Sequence, residues 1–218
     1  MYKNSKKPST TQFQKDLEWG TFFEFESISV IEGFFNKFLS TQNKRLEFLQ
    51  ENISTSVKEL KKWDTKYIVV DNFTNRRTNA ITFEIKTDKY DETGNLFFEK
   101  SCNKKLSGVF ATEADYFIYC LPRYKSQNFY LVKPQKLIEL INEKFAQCLS
   151  YGGGDGGRVT SFLINKHQFD EEFVKIGKLI DWDVEIPSKF NLDRFEEKKK
   201  YTYYSNTNTL DQYENPLQ

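Results

Sequence analysis

Two apolar runs separated by a turn-rich stretch constrain this chain more than any other feature. Tyr67, Ile68, Val69 and Val70 form a β-branched and aromatic run, and residues 72–79 carry turn chemistry. Ile81, Phe83 and Ile85 then alternate with Thr82, Glu84 and Lys86. The pattern predicts an antiparallel β-hairpin. Side chains alternate between the two faces of a strand, so Glu84 and Lys86 share one face while Ile81, Phe83 and Ile85 share the other. Taken alone, an acid and a base on one face fit a solvated sheet surface better than a site.

Hairpin register adds a second acid. Paired residues of an antiparallel hairpin have a constant sum of residue numbers, and a turn centred on Asn75 or Arg76 sets it at about 150 to 152. Asp64 then faces residues 86–88, whereas Asp71 falls near residue 80 at the turn end. The register selects Asp64. Two carboxylates converging from neighbouring strands suit a hard cation such as Mg²⁺, which takes oxygen ligands and keeps several waters.

Residues 15–39 have a helical pattern, with Leu17, Ile28, Ile31, Phe35 and Phe38 within one arc at about 100° per residue. Glu24 falls on that stripe and Glu26 on the opposite, surface side. A carboxylate on a buried helix face is costly unless it is paired, protonated or metal-bound, and a structural salt bridge for Glu24 stays open.

Around these elements the order is α+β. Residues 43–62, with Leu46, Leu49, Val57 and Leu60, are expected as one or two short helices. A third strand is expected at Leu96–Glu99, and a turn into a short helix at Ser107–Ala114. Further strands are expected at Tyr116–Leu121, Asn128–Val132 and Thr160–Ile164. Pro134, permitted in a first helical turn, opens a helix to about Leu149, and another is expected near Glu171–Ile180. A length of 218 residues suits one domain. It is expected over residues 13–198, with embellishment from about residue 150, a disordered segment at 1–12 and a loosely ordered tail at 199–218.

The formal net charge of +1 announces neither a nucleic-acid nor a membrane partner, so any grip on a polyanion must be local. Three cysteines, Cys102, Cys120 and Cys148, have no CxxC spacing; this argues against a disulfide framework or structural zinc and fits a reducing, intracellular setting. No apolar run approaches the roughly 20 residues of a membrane span, and residues 1–11 lack a signal-peptide pattern. The Gly152–Arg158 run lacks the Gly-Lys-Ser/Thr ending of a phosphate loop and fits a flexible connector better than a DNA-embracing loop. His167, the sole histidine, excludes nucleases that need a histidine pair. Tyr201, Tyr203 and Tyr204 have nothing nearby to activate a nucleophile.

Asp64, then Glu84-Ile85-Lys86 on the next strand, after a helix with Glu24 four residues past Gly20, resembles the PD-(D/E)xK nuclease superfamily. Thr93-Gly94-Asn95-Leu96-Phe97-Phe98-Glu99, Ser107-Gly108-Val109 and Thr112-Glu113-Ala114-Asp115-Tyr116 resemble phage-encoded members. The similarity spans about residues 15–165, and Trp63 stands where the motif has proline. It implies a restriction-endonuclease-like αβββαβ core, with a central mixed sheet flanked by helices, and hydrolysis of DNA phosphodiesters by a metal-activated water. Asp64, Glu84 and the Ile85 backbone carbonyl would hold Mg²⁺ or, as a substitute, Mn²⁺. Lys86 would position water or stabilise developing charge, and Glu24 would orient Lys86 or complete a second metal site.

Arg76, Arg77, Lys104, Lys105, Arg123 and Lys125 are candidate phosphate contacts and equally plausible solvated charges. Ser107 and Thr112 are favoured as hydroxyls at a turn and a helix N-terminus. The expected partner is DNA, in a host cytoplasm if the chain is phage-encoded. Two alternatives are a Holliday-junction resolvase, which would need a homodimer, and a catalytically silent nucleic-acid-binding protein of the same fold.

Overall fold

A computed structural model describes residues 10–51, 62–122, 128–153 and 158–181, all within one compact unit, Met1–Val184. Of the segment expected as disordered, residues 1–9 lie outside them, whereas residues 10–12 open the first helix; the tail 199–218, Val57, Leu60, Arg123, Lys125, Gly154–Gly157 and the three C-terminal tyrosines also lie outside them. The elements are α1 (Thr10–Leu39), β1 (Lys44–Glu51), β2 (Thr65–Asp71), β3 (Arg77–Thr87), β4 (Asn95–Cys102), β5 (Lys105–Leu106) and β6 (Tyr116–Leu121). They continue with β7 (Asn128–Val132), α2 (Pro134–Lys144), β8 (Leu149–Gly153), β9 (Val159–Asn165), α3 (Lys166–Phe173) and β10 (Lys178–Asp181).

The fold is α+β with a mixed central sheet, ordered β1-β2-β3-β6-β7-β10. Only the β3–β6 pair in it is parallel. The chain travels from β3 to its parallel neighbour through β4, β5 and a single 3-10 turn at Gly108–Phe110; no α-helix is interposed, in contrast to the expected αβββαβ order. Leu96–Glu99, expected as the third strand of that sheet, belongs instead to a second, antiparallel sheet, β5-β4-β9-β8. Residues after 150 supply β9, whose Phe162 and Ile164 are buried in the shared core.

Period two assigns each face of the central sheet its cover. Phe83 and Tyr116 lie under α1, with the Phe35 ring 5.7 Å from Phe83 and 5.8 Å from Tyr116. Phe117, Tyr119 and Leu121 point the other way and pack with Leu96, Phe98 and Phe162 of the second sheet, Leu137 and Ile141 of α2, and Phe169 and Phe173 of α3. A polar tie joins the two sheets: the Tyr119 hydroxyl accepts from the Phe97 N–H at 2.9 Å and donates to Asp88 Oδ2 at 2.5 Å.

Several local expectations are corrected. Lys44–Glu51 is a strand, not a helix. Leu46 is buried and Phe48 packs on Tyr67 at 5.5 Å, so the alternation of positions 46 and 48 outweighs the helix-like spacing of Leu46 and Leu49. On α1 the buried residues are Trp19, Phe23, Ser27, Ile31 and Leu39, whereas Leu17 is 59% and Phe38 63% exposed. A four-residue step drifts about 40° per turn, so this long helix follows a slanted stripe and not the arc through Leu17 and Phe38. Glu26 is half-buried rather than on the open surface.

The helix expected at Glu171–Ile180 is α3, ending at Phe173, followed by strand β10. Gly177 marks the break, since a Cβ there would collide with the Phe173 ring. The helix opened by Pro134 ends at Lys144, short of Leu149. Cys102, Cys120 and Cys148 are all free thiols. Among the described residues, no helix is long and apolar enough to cross a membrane.

Candidate active site

Three chain segments meet where β3 changes neighbours. Through Phe83 it pairs with β2 on one edge, and from Phe83 onward with β6 on the other. Asp64 stands at the entrance to β2. Its N–H donates to the Phe83 carbonyl at 2.8 Å, and its Oδ2 accepts from the Ile85 N–H at 2.6 Å. N–H and C=O of one strand residue leave along the same edge, so the Ile85 carbonyl opens on the Asp64 side.

The observed register is Thr65↔Phe83, with Val70↔Arg77 beyond a bulge between Ile68 and Val70. Asp64 therefore lies beside residues 83–85, not opposite 86–88 as the symmetric turn predicts. The turn comes earlier than expected because Asp71 closes it. Asp71 N–H donates to the Arg76 carbonyl, and its Oδ1 accepts from the N–H groups of Phe73 and Thr74 and from the Thr74 hydroxyl. These bonds hold its carboxyl below the ordinary value. Asp71 is a turn residue, remote from Glu84.

The third segment, residues 112–115, comes back over β3. Thr112 Oγ1 lies 3.2 Å from Glu84 Oε2 and 3.2 Å from the Lys62 carbonyl, and accepts from the Ala114 N–H at 3.1 Å. A hydroxyl has one proton to donate. When Glu84 is protonated, its O–H can donate to Thr112 while Thr112 donates to Lys62, so one hydroxyl links all three segments. The Glu113 N–H also donates to the Lys62 carbonyl at 3.1 Å. Asp115 Oδ2 accepts from both the N–H and the hydroxyl of Thr82 at 2.8 and 2.9 Å, which starts β6 alongside β3.

The electrostatics are those of two acids crowded in a half-buried cleft. Burial raises the Asp64 carboxyl to about 6, against the Ile85 hydrogen bond and the Lys86 charge. Burial first, and then the Asp64 charge, push Glu84 up to about 8, while the Thr112 hydrogen bond and Lys86 pull it down. Lys86 is exposed and holds the cationic end of the cleft. Glu24 is half-buried on α1 beside the Phe23 stripe. Its charge further raises Glu84 and adds to the raised pKa of the Cys120 thiol, whose main cause is burial. Glu24 therefore belongs to the neighbourhood of the pair.

Among the described residues, no three or more His, Cys, Asp or Glu side chains gather as a metal-binding group. The oxygen donors that this cleft could offer an ion are two carboxylates and a main-chain carbonyl, and among the described residues no side-chain set for a second ion is assembled. Two hard oxygen donors held above their ordinary values, both by burial and Glu84 also by the Asp64 charge, fit a small dication that would relieve both.

The other candidates are scattered. Arg76 and Arg77 are exposed at the far end of the hairpin; the seven residue steps from Arg77 to Glu84 span about 24 Å. Arg77 pairs with Glu47 at 3.2 Å. Lys104 and Lys105 are exposed at the β4–β5 turn, where Asn103 and Lys104 both have positive φ. Ser107 precedes the 3-10 turn, with no side-chain capping bond. Thr112 follows that turn rather than opening a helix, so the phosphate role expected for it on helix-terminus grounds lacks its premise; it holds Glu84 instead. The Thr82–Asp115 clamp and the Lys62 carbonyl carried no signal in the sequence beyond the presence of Asp115 in the 112–116 run. No family model, curated protein or solved structure matches the chain.

Proposed function

We propose that this chain is a Mg²⁺-dependent nuclease hydrolysing DNA phosphodiester bonds. The supporting observation is the cleft in which Asp64, anchored to residues 83 and 85, stands beside Glu84 with both carboxyls held above their ordinary values. Asp64, Glu84 and the Ile85 carbonyl would hold the ion, for which Mn²⁺ would substitute. Bound there, the ion supplies a water of lowered pKa and charge neutralisation at phosphorus. Lys86, on the open side of the cleft, faces incoming phosphate and stabilises negative charge growing on its oxygens. Thr112 and the Ile85 N–H hold the two carboxylates in place, so little reorganisation is needed as the reaction proceeds. Glu24 raises the proton affinity of Glu84 and keeps negative potential behind the ion site.

The test is incubation of plasmid and linear DNA with purified protein in Mg²⁺, Mn²⁺ or EDTA, beside Glu84→Ala. Cleavage is expected with either metal, with loss in EDTA and a drop of at least about a hundredfold in the variant. Cleavage that persists in EDTA or in Glu84→Ala overturns the reading.

A further inference from the structure

A groove of about 700 Å³ adjoins the cleft and shares Thr112 with it. It exists because β6 begins at Tyr116, opposite Phe83, leaving the earlier part of β3 without a strand on that side. One wall is Ala80 and Ile81 of β3. The others are the loop Val109–Tyr116 and the first turns of α2, with Pro134, Gln135 and Ile138. The volume lies within the roughly 300–1,000 Å³ of small-ligand sites.

We propose that this groove receives a single unpaired nucleobase carrying an exocyclic amino group, next to the phosphate bound at the cleft; this rests on the nuclease reading above. The charged lining gives a phosphate no net attraction, because two acids, Glu113 and Asp115, border it against one cation, Lys133, with Glu113 paired to Lys62 at 3.1 Å. The same residues suit a base. Ile81, Phe110, Pro134 and Ile138 offer apolar surfaces for a planar ring. Asp115 is an oriented acceptor: Oδ2 is fixed by two bonds from Thr82, and among the described residues no hydrogen bond is assigned to Oδ1. A carboxylate accepts from the amino group of cytosine and repels the carbonyl that thymine carries at the same place. Gln135 is steadied by donating to Glu139 at 3.0 Å, and its carbonyl oxygen is a further acceptor.

The comparison that isolates this chemistry is oligo(dC) against oligo(dT), two weakly stacking pyrimidine strands that differ at that edge. Labelled strands of about a dozen residues would be titrated with full-length Glu84→Gln protein, with fluorescence anisotropy as the readout. Oligo(dC) is expected to bind about tenfold more tightly, the effect of one good hydrogen bond. Ile138→Trp, which fills the groove, should reduce oligo(dC) binding to the oligo(dT) level. Equal binding of the two strands overturns the proposal, as does a preference that survives Ile138→Trp in a variant with wild-type circular dichroism. A parallel plasmid assay with wild-type protein separates the two readings. Metal-dependent cleavage without base preference removes the groove proposal alone, and base preference without cleavage removes the nuclease reading and leaves a nucleobase site.

Discussion

Glu84 is the residue whose ionisation couples the site to the stability of the chain. Its carboxyl is raised to about 8 by burial and by Asp64, and Asp64 itself is raised to about 6. For an acid whose folded pKa lies above its unfolded value, the protonated form is favoured by folding. The stabilisation is full below the ordinary carboxyl range and is lost as pH rises through the folded value. Metal-free protein should therefore be less stable at pH 9 than at pH 5.5 by roughly 1–3 kcal/mol, discounted for the coupling of the pair. Urea unfolding in chelator would measure it. Glu84→Gln should remove most of the difference, and Mg²⁺ at pH 9 should restore stability in wild type, since the ion replaces the proton. A wild-type protein more stable at pH 9 than at pH 5.5 would contradict the crowded-acid picture. Thr112 shows why a residue can be noticed for the wrong reason: its side-chain chemistry was legible, but its partner sits 28 positions away and depends on the path of the 112–115 loop.

At the scale of elements, α1 makes a sharp prediction because neighbouring phenylalanines have opposite fates. Phe23 is 0% exposed and Phe25 63%. Phe23→Ala should cost about 3–5 kcal/mol, and Phe25→Ala no more than about 0.5 kcal/mol; thermal or urea unfolding of the two variants tests the phase directly. The β2–β3 hairpin, its two faces and the helical start at Pro134 were legible because each depends on local periodicity or backbone chemistry. β1 was not, since its alternation runs for only a few residues and coexists with helix-like spacing. Register was half legible. Separating Asp64 from Asp71 needs only the order along the strand, whereas locating Asp64 beside residues 83–85 needs the bulge at Ile68–Val70 and the Asp71 turn. Assignment of β4 to a second sheet was beyond reach for a different reason: its partner β9 is paired through Leu96↔Ile164, a tertiary choice that no local pattern encodes.

For the whole molecule, the pairs that surround the cleft span very different lengths of chain. Thr65↔Phe83 is closed by a hairpin, Glu84↔Phe117 encloses the whole β4–β5 excursion, and Leu96↔Ile164 encloses most of the second half of the described chain. Short loops close sooner than long ones, so contact range implies an order of events. The split partnership of β3 then becomes a timetable: its β2 half assembles early and brings Asp64 to Glu84 before β6 and Thr112 arrive to hold them. Two acids meet while their cage is still unbuilt, and the β3–β6 ladder closes against their repulsion. Refolding of metal-free wild type, followed by stopped-flow fluorescence of its tryptophans, should be faster at pH 6 than at pH 9, and Glu84→Gln should narrow that difference. A change confined to the unfolding limb would instead mean that the acids are pressed together only after the barrier has been crossed.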